Sequence, residues 1–253
     1  MKKKIKGMTI FICQDYEEMS KKAANIVAAQ LIIKPKSVLG LATGSTPAGM
    51  YEQLVKLYNQ DDLDFSEVTT FNLDEYYPIQ KTNEQSYYYY MRTNLFNHIN
   101  VNDHSINIPN GETTNIQKEC YDYDDAIYLH GGIDLQVLGI GNNGHIGFNE
   151  PDVRFESGTH LVKLDEETIK ANARFFGSQE EVPTKAISMG IRTIMHSKKI
   201  VLLASGQSKA HIIEQMLLGD ITPNVPASIL QLHNEVTLIL DKDAASNIFE
   251  KYN

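Results

Sequence analysis

The densest concentration of residues able to do chemistry is the run Leu138-Gly139-Ile140-Gly141-Asn142-Asn143-Gly144-His145-Ile146-Gly147-Phe148-Asn149-Glu150-Pro151. Gly139, Gly141, Gly144 and Gly147 surround His145, so the backbone can turn sharply and come close to a ligand. Asn143, His145 and Glu150 are all hydrogen-bonding residues, and a histidine oriented by a carboxylate is a usable acid–base group near neutral pH. His98, His104, His130, His160, His196, His211 and His233 lack such surroundings and read as structural.

A second candidate is Phe71-Asn72-Leu73-Asp74-Glu75-Tyr76-Tyr77-Pro78. It follows a predicted strand, which puts Asp74 and Glu75 in a loop at that strand's carboxyl end. Two adjacent carboxylates there do not easily face one pocket. One could be a general base and the other a structural acceptor; a plain polar turn before Pro78 is the alternative.

The third is Leu39-Gly40-Leu41-Ala42-Thr43-Gly44-Ser45-Thr46-Pro47. A buried strand ends, a small-residue loop follows, and Pro47 suits the first position of a helix with Thr46 as its cap. The N–H groups of Gly44, Ser45 and Thr46 would then sit beside the positive end of that helix, a phosphate-binding arrangement, or else an ordinary strand–turn–helix joint. The lysine of a P-loop is missing, and there is no dinucleotide fingerprint. Two cations could complete a phosphate clamp with Thr43, Gly44, Ser45 and Thr46. Lys209, after Gly206-Gln207-Ser208, falls in a first helical turn, where a cation opposes the helix dipole. Arg174 is followed by Phe175 and Phe176. Each reads equally as a surface cation.

The elements that must position these residues alternate between short apolar runs and helical patterns, which predicts βαβ units and a parallel sheet. Strands are predicted at Met8–Cys13, Ser37–Leu41, Val68–Phe71, Asp134–Ile140, Ile200–Ala204 and Val236–Leu240. Helices are predicted at Asp15–Ile32, with Asp15 and Glu18 as a capping pair, and at Pro47–Asn59, Ser86–Ile99, Asn115–Leu129, Ala186–His196 and Ser208–Leu218. Gly141 to about Gly177 reads as loop, active-site segment and possible lid. In Tyr87–Tyr90 at most two tyrosines can face inward on a helix.

The chain has 253 residues, 42% hydrophobic and 22% charged, which suffices for a large core. With no repeat, low-complexity tract or linker, residues 1–253 read as a single domain, in which 1–7 form a solvated, disordered basic tail. A net charge of −9 argues against a nucleic-acid partner and requires any anion to be caught by a local site. Cys13 and Cys120 make neither a disulfide framework nor a metal motif, and a reducing cytoplasm fits best. No apolar run is long enough for a membrane span, and the basic start is not followed by a signal-peptide core.

Taken in order, Leu-Ala-Thr-Gly-Ser-Thr-Pro, Phe-Asn-Leu-Asp-Glu-Tyr, Ser86-Tyr87-Tyr88, Gly-His-Ile-Gly-Phe-Asn-Glu-Pro, Ala-Asn-Ala-Arg-Phe-Phe and Gly206-Gln207-Ser208-Lys209-Ala210 resemble the glucosamine-6-phosphate deaminase (isomerase) family. The resemblance covers nearly the whole chain, and the histidine block is its specific part. It implies an α/β, modified doubly wound (Rossmann-like), mostly parallel sheet with helices on both faces. It also implies conversion of glucosamine 6-phosphate and water to fructose 6-phosphate and ammonia, in amino-sugar catabolism, with a small phosphosugar as partner and no cofactor or metal. By resemblance, Asp74 is the base that moves the C2 proton to C1. His145 assists ring opening, Glu150 is its carboxylate partner, and Arg174, Lys209 and Thr43–Thr46 hold the phosphate. Gly144 and Glu75 are secondary candidates.

Some members carry an aspartate where this chain has Asn143. An aspartate would favour charged His145, whereas asparagine orients the ring without adding charge. Some members also have a longer tail and an allosteric site at a subunit interface; neither allostery nor a hexamer is carried over, and monomer and homo-oligomer stay open. The alternatives are a galactosamine-6-phosphate deaminase and a 6-phosphogluconolactonase, in which the Gly-His turn typically leads to Leu-Phe-Pro. A sugar-phosphate sensor would need a DNA-binding module, and the strand starting at Met8 leaves no room for one before it.

Overall fold

The fold is described from a computed structural model over residues 1–173, 176, 178 and 181–249, the side chains of 167, 171 and 249 excepted. In chain order the elements are β1 Lys2–Ile5, β2 Met8–Cys13, α1 Tyr16–Ile33, β3 Val38–Leu41, α2 Ser45–Asn59, β4 Thr69–Asn72, β5 Asp74–Tyr77, α3 Tyr87–Asn94, β6 Ile106–Asn107, α4 Ile116–Leu129 and β7 Leu135–Leu138. They continue with β8 His160–Lys163, α5 Glu166–Asn172, β9 Lys185–Ser188, α6 Ile191–Met195, β10 Ile200–Ala204, α7 Ala210–Leu218, β11 Val236–Asp241 and α8 Ser246–Phe249.

Among the described residues the main sheet runs β1-β2-β11-β10-β7-β3-β4-β6, parallel throughout except for β1 against β2. β3, β7 and β10 are buried along their whole length. That is why, Gln136 of β7 apart, they read as apolar runs: a parallel sheet is covered on both faces. From β3 the chain steps outward to β4 and β6; from β7 it steps the opposite way to β10 and β11. Right-handed crossovers therefore place α2 and α7 on opposite faces. The order reverses between β3 and β7, and a crevice opens there at the strands' carboxyl ends.

α1 buries Met19, Ala23, Val27 and Leu31, spaced by four, and packs along α2. The Asp15 side chain accepts the Glu18 N–H (2.9 Å), and Glu18 accepts the Gln14 N–H (2.6 Å), so the capping pair works in both directions.

Five expectations are corrected. Residues 1–7 are not a solvated tail: Lys2–Ile5 pairs antiparallel with Met8–Phe11 across Lys6-Gly7, both at positive φ (46° and 84°), the geometry of a tight hairpin, and Ile5 is buried. The lysines blunt this exposed sheet edge. Thr46 is not the cap of α2: the helix starts at Ser45 and Gly44 caps it. Asp74 and Glu75 lie on a strand, not a loop. The stretch 141–177 contains β8 and α5. Ala186–His196 is not one helix but β9 followed by α6, Ile191 and Ile194 alone supplying the helical spacing.

The last three corrections share a cause. β5, β9 and β8 form a separate three-stranded antiparallel sheet, with Asp74 opposite Ser188 and Ser188 opposite His160. Each strand has four residues, too short to show a period. Tyr76, Ile79, Phe148, Leu164 and Ala186 form its own small core.

Candidate active site

A cavity of about 270 Å³ opens over the β3/β7 crevice, a size that suits a metabolite more than a nucleotide. Its wall includes Thr43–Thr46, Asp74, Asn143, His145 and Lys209. Four strand-end joints thus converge where the topology reverses.

Gly44 has φ 99° and ψ −178°, a region open essentially to glycine alone, and this lets the chain break from β3 directly into α2. Pro47, third in the helix, loses nothing, because the first N–H groups of a helix have no carbonyl one turn back. The loop's carbonyls are held by tyrosines. Tyr51 donates to Ala42 O (2.6 Å), Tyr90 to Gly44 O (2.6 Å) and Tyr16 to Ser45 O (2.9 Å). Tyr16 Oη also accepts the Gly49 N–H (2.9 Å), inserting itself into the first turn of α2. That approach needs Gly49, since a Cβ there would lie 2.5 Å from Ser20 Oγ and 2.9 Å from Tyr16 Cε1.

β5 turns Asp74 and Glu75 to opposite sides, as alternation in a strand requires. Asp74 faces the cavity; Glu75 faces α3, where its Oε1 accepts the N–H groups of Tyr76 (2.9 Å) and Tyr87 (2.8 Å) and its Oε2 that of Tyr88 (2.9 Å). Both carboxyls are buried, at 6% and 2% exposure. Burial pushes Glu75 up to about 7 against the pull of those N–H groups. Burial and the neighbouring Glu75 charge push Asp74 further, to about 8. Both carboxyls are thus held well above the ordinary carboxylate range, by burial first.

The histidine turn folds back on itself, with Gly141 N–H bonded to His145 O (2.9 Å). His145 Nδ1 lies 3.1 Å from Glu150 Oε2, the same oxygen that accepts from Asn143 Nδ2 (2.8 Å). Asn143 Oδ1 accepts the His145 N–H (3.2 Å). Burial works against the Glu150 carboxylate, but hydrogen bonds from His145, Thr168 and Asn143 outweigh it and hold its pKa below the ordinary value. The arrangement leaves His145 Nε2 as the ring nitrogen not engaged by Glu150. Gly141 is required by packing: a Cβ there would stand 2.3–2.5 Å from His145 Cε1, Nδ1 and Nε2.

The turn is tied to the Asp74 sheet. Ser188, opposite Asp74 in the ladder, accepts the Phe148 N–H (3.0 Å), and Asn149 Nδ2 donates to Ile146 O and Met189 O, both at 2.8 Å. Gly147, at φ 57°, packs against the same strand pair: a Cβ there would crowd Ser188 Oγ at 3.1 Å and touch Asp74 Oδ2 at 3.5 Å. Gly144 has φ 88°, and a Cβ there would meet Val225 at 2.9 Å.

Lys209 closes a 3-10 turn at the start of α7. Buried Asp241 fixes the approach to it, accepting from the Ser205 hydroxyl, the Gly206 N–H (2.9 Å) and the Ala244 N–H (2.8 Å). Arg174, the other expected phosphate ligand, lies outside the described residues.

Sequence reasoning missed several residues of the wall. Tyr87 and Tyr90 line it, a pair spaced by three that satisfies the limit of two inward tyrosines. Thr168 and Asn172, one turn apart on α5, line it as well, and Thr168 hydrogen-bonds Glu150. Their spacing was the available signal, hidden because α5 was read as loop.

The pattern of the family described as glucosamine-6-phosphate isomerases/6-phosphogluconolactonase matches residues 14–239. A glucosamine-6-phosphate deaminase of Clostridium novyi (strain NT) is 63% identical over 241 residues, 95% of this chain and 100% of that one. The enzyme of that name from Clostridium botulinum (strain Loch Maree / Type A3) is 60% identical, covering 95% and 99%. Among solved structures, a monomeric glucosamine-6-phosphate deaminase superposes with a TM-score of 0.92 at 47% identity, over 94% of this chain and 99% of that one. A 6-phosphogluconolactonase from Thermotoga maritima reaches 0.74 at 17% identity, covering 92% and 99%, and shares the fold. By both the extent of the family match and these identities, the chain belongs to the glucosamine-6-phosphate isomerase/6-phosphogluconolactonase family.

Proposed function

We propose that this chain converts glucosamine 6-phosphate and water to fructose 6-phosphate and ammonia, acting as one catalytic domain in the cytoplasm. The observation that carries the reading is the pairing, in one cavity, of a buried carboxyl at Asp74 with a carboxylate-held histidine at His145. A lactone hydrolysis needs no group to carry a proton between neighbouring carbons; an aldose–ketose shift does. Cys13 and Cys120, both free and buried, fit a reducing compartment.

The substrate's phosphate carries about −1.5 to −2 charges at neutral pH. It is received by Thr43, Gly44, Ser45 and Thr46 at the amino end of α2, and by Lys209; Arg174 is assigned with them on the sequence resemblance. His145, oriented through Nδ1 by Glu150 and backed by Asn143, moves a proton from O1 of the closed sugar to the ring oxygen. The C1–O5 bond breaks and C1=O1 forms. The aldehyde now acidifies the C2–H. Asp74 takes that proton, the C–H pair becomes a C1=C2 double bond, and the C1=O1 π pair moves onto O1, which takes a proton from the ammonium on C2 and leaves it a neutral amine. Asp74 then returns its proton to C1 while C2=N forms. Water adds to C2 and ammonia leaves, giving the ketose.

Asp74 must shed a proton before it can act. The sugar's amino group, arriving as a cation beside the two buried carboxyls, supplies the counter-charge that favours the carboxylate. Each positioned acid–base group contributes about 10²–10⁴-fold in rate.

The test is ammonia release from glucosamine 6-phosphate and, separately, galactosamine 6-phosphate, for wild type and Asp74→Asn. Release from the gluco sugar that collapses in the variant is expected. Release from the galacto sugar alone keeps the proton transfers and changes the substrate. Release from neither overturns the reading.

A further inference from the structure

Resting on the phosphate-site reading above, we propose that Glu75 is a positioning residue that acts through α3 to hold the Thr43–Thr46 loop in its anion-receiving conformation. Glu75 is buried and turned away from the cavity. It accepts the N–H groups of Tyr87 and Tyr88, the first two residues of α3, while Ser86 Oγ accepts that of Tyr89 (3.0 Å). The carboxylate thus fixes the start of α3 against β5.

α3 in turn holds the loop. Tyr90 Oη donates to Gly44 O (2.6 Å), and the Tyr87 hydroxyl hydrogen-bonds the Thr43 side chain. In a trans peptide the carbonyl and the following N–H point in opposite directions. Pinning Gly44 O on Tyr90 therefore aims the Ser45 N–H away from α3. Tyr16 on Ser45 O and Tyr51 on Ala42 O fix the Thr46 and Thr43 N–H groups in the same way. The tyrosines of α1 and α2 need nothing from Glu75; those of α3 are placed by it. One carboxylate, next in sequence to Asp74, links the base to the phosphate loop.

The experiment measures inorganic phosphate as a competitor of the sugar phosphate, and directly by calorimetry, so it does not depend on which amino sugar is turned over. Wild type is expected to bind phosphate; if it does not, the anion site itself fails, and this proposal with it. Tyr90→Phe is expected to weaken phosphate about 5- to 10-fold, the loss of one orienting hydrogen bond. Glu75→Gln, which turns an amide N–H₂ against an α3 N–H, is expected to weaken it at least as much. The double variant should be no weaker than Glu75→Gln alone, because both act on one element. Wild-type phosphate affinity in Glu75→Gln, with only a lowered melting temperature, overturns the proposal, as do fully additive effects. If Glu75→Gln does not fold, Tyr87→Phe combined with Tyr90→Phe carries the test: it leaves the carboxylate and the helix backbone in place, and unchanged phosphate affinity there overturns the link.

Discussion

Replacing Asp74 by asparagine keeps the shape of the buried side chain and removes its ionisation. In the folded chain burial and Glu75 drive the Asp74 pKa up to about 8, whereas an aspartate in an unfolded chain titrates near 3.9. Between those values the unfolded carboxyl is charged and the folded one protonated, so the folded state binds more protons. Stability then falls as pH rises. The contribution is fully present below the unfolded pKa and is lost by the time pH passes the folded pKa. The slope is about 1.4 kcal/mol per pH unit, and the span of roughly four units sets a ceiling on the order of 5 kcal/mol. The Asp74→Asn protein has no such titration, and Glu75 titrates in both proteins and cancels to first order. Urea unfolding at intervals from pH 5 to 9 should therefore show Asp74→Asn gaining on wild type with rising pH, the gain levelling off above about pH 8. The same variant should lose about 10²–10⁴-fold in kcat. A stability difference that is flat with pH, or that turns against the variant as pH rises, refutes the raised pKa of the buried Asp74 carboxyl.

Glu150 behaves in the opposite sense. Its pKa is held down by His145, Thr168 and Asn143, so its stabilisation is present above the unfolded pKa and lost as pH falls through the folded one. Glu150→Gln should be less stable than wild type at pH 7, converge with it below about pH 4 in a urea series carried down to about pH 3, and lose activity because the His145 ring loses its carboxylate. Gly141→Ala should leave the fold nearly intact but force the His145 ring from its place. The expected result is a fall in kcat of about 10²-fold, phosphate affinity unchanged, and displaced His145 ring signals in the NMR spectrum.

The parallel sheet was legible because burial on both faces makes β3 and β10 uninterrupted apolar runs, and β7 one broken only by Gln136. The joints carrying Thr43–Thr46, His145 and Lys209 were legible because each follows such a run; Asp74 follows the mixed Thr-Thr-Phe-Asn of β4. What escaped was the antiparallel sheet. β8, with three residues half-buried and one exposed, carries no alternation to read. β5 is made of Asp-Glu-Tyr-Tyr, two residues of which are poor strand formers by composition. It is a strand because β9 supplies the ladder from more than a hundred residues away.

The same long-range pairing decides the chemistry. A loop at residues 74 and 75 would leave both carboxyls wet and near their ordinary pKa. As neighbours in a strand under a small aromatic core, they face opposite ways and neither is free in water. Asp74 becomes a proton-holding group on the cavity wall, and Glu75 becomes the acceptor at the start of α3. The family resemblance proposes Asp74 as the base; the strand, invisible in the sequence, buries its carboxyl and raises its proton affinity. The cost is the stability that Asp74→Asn should recover at alkaline pH.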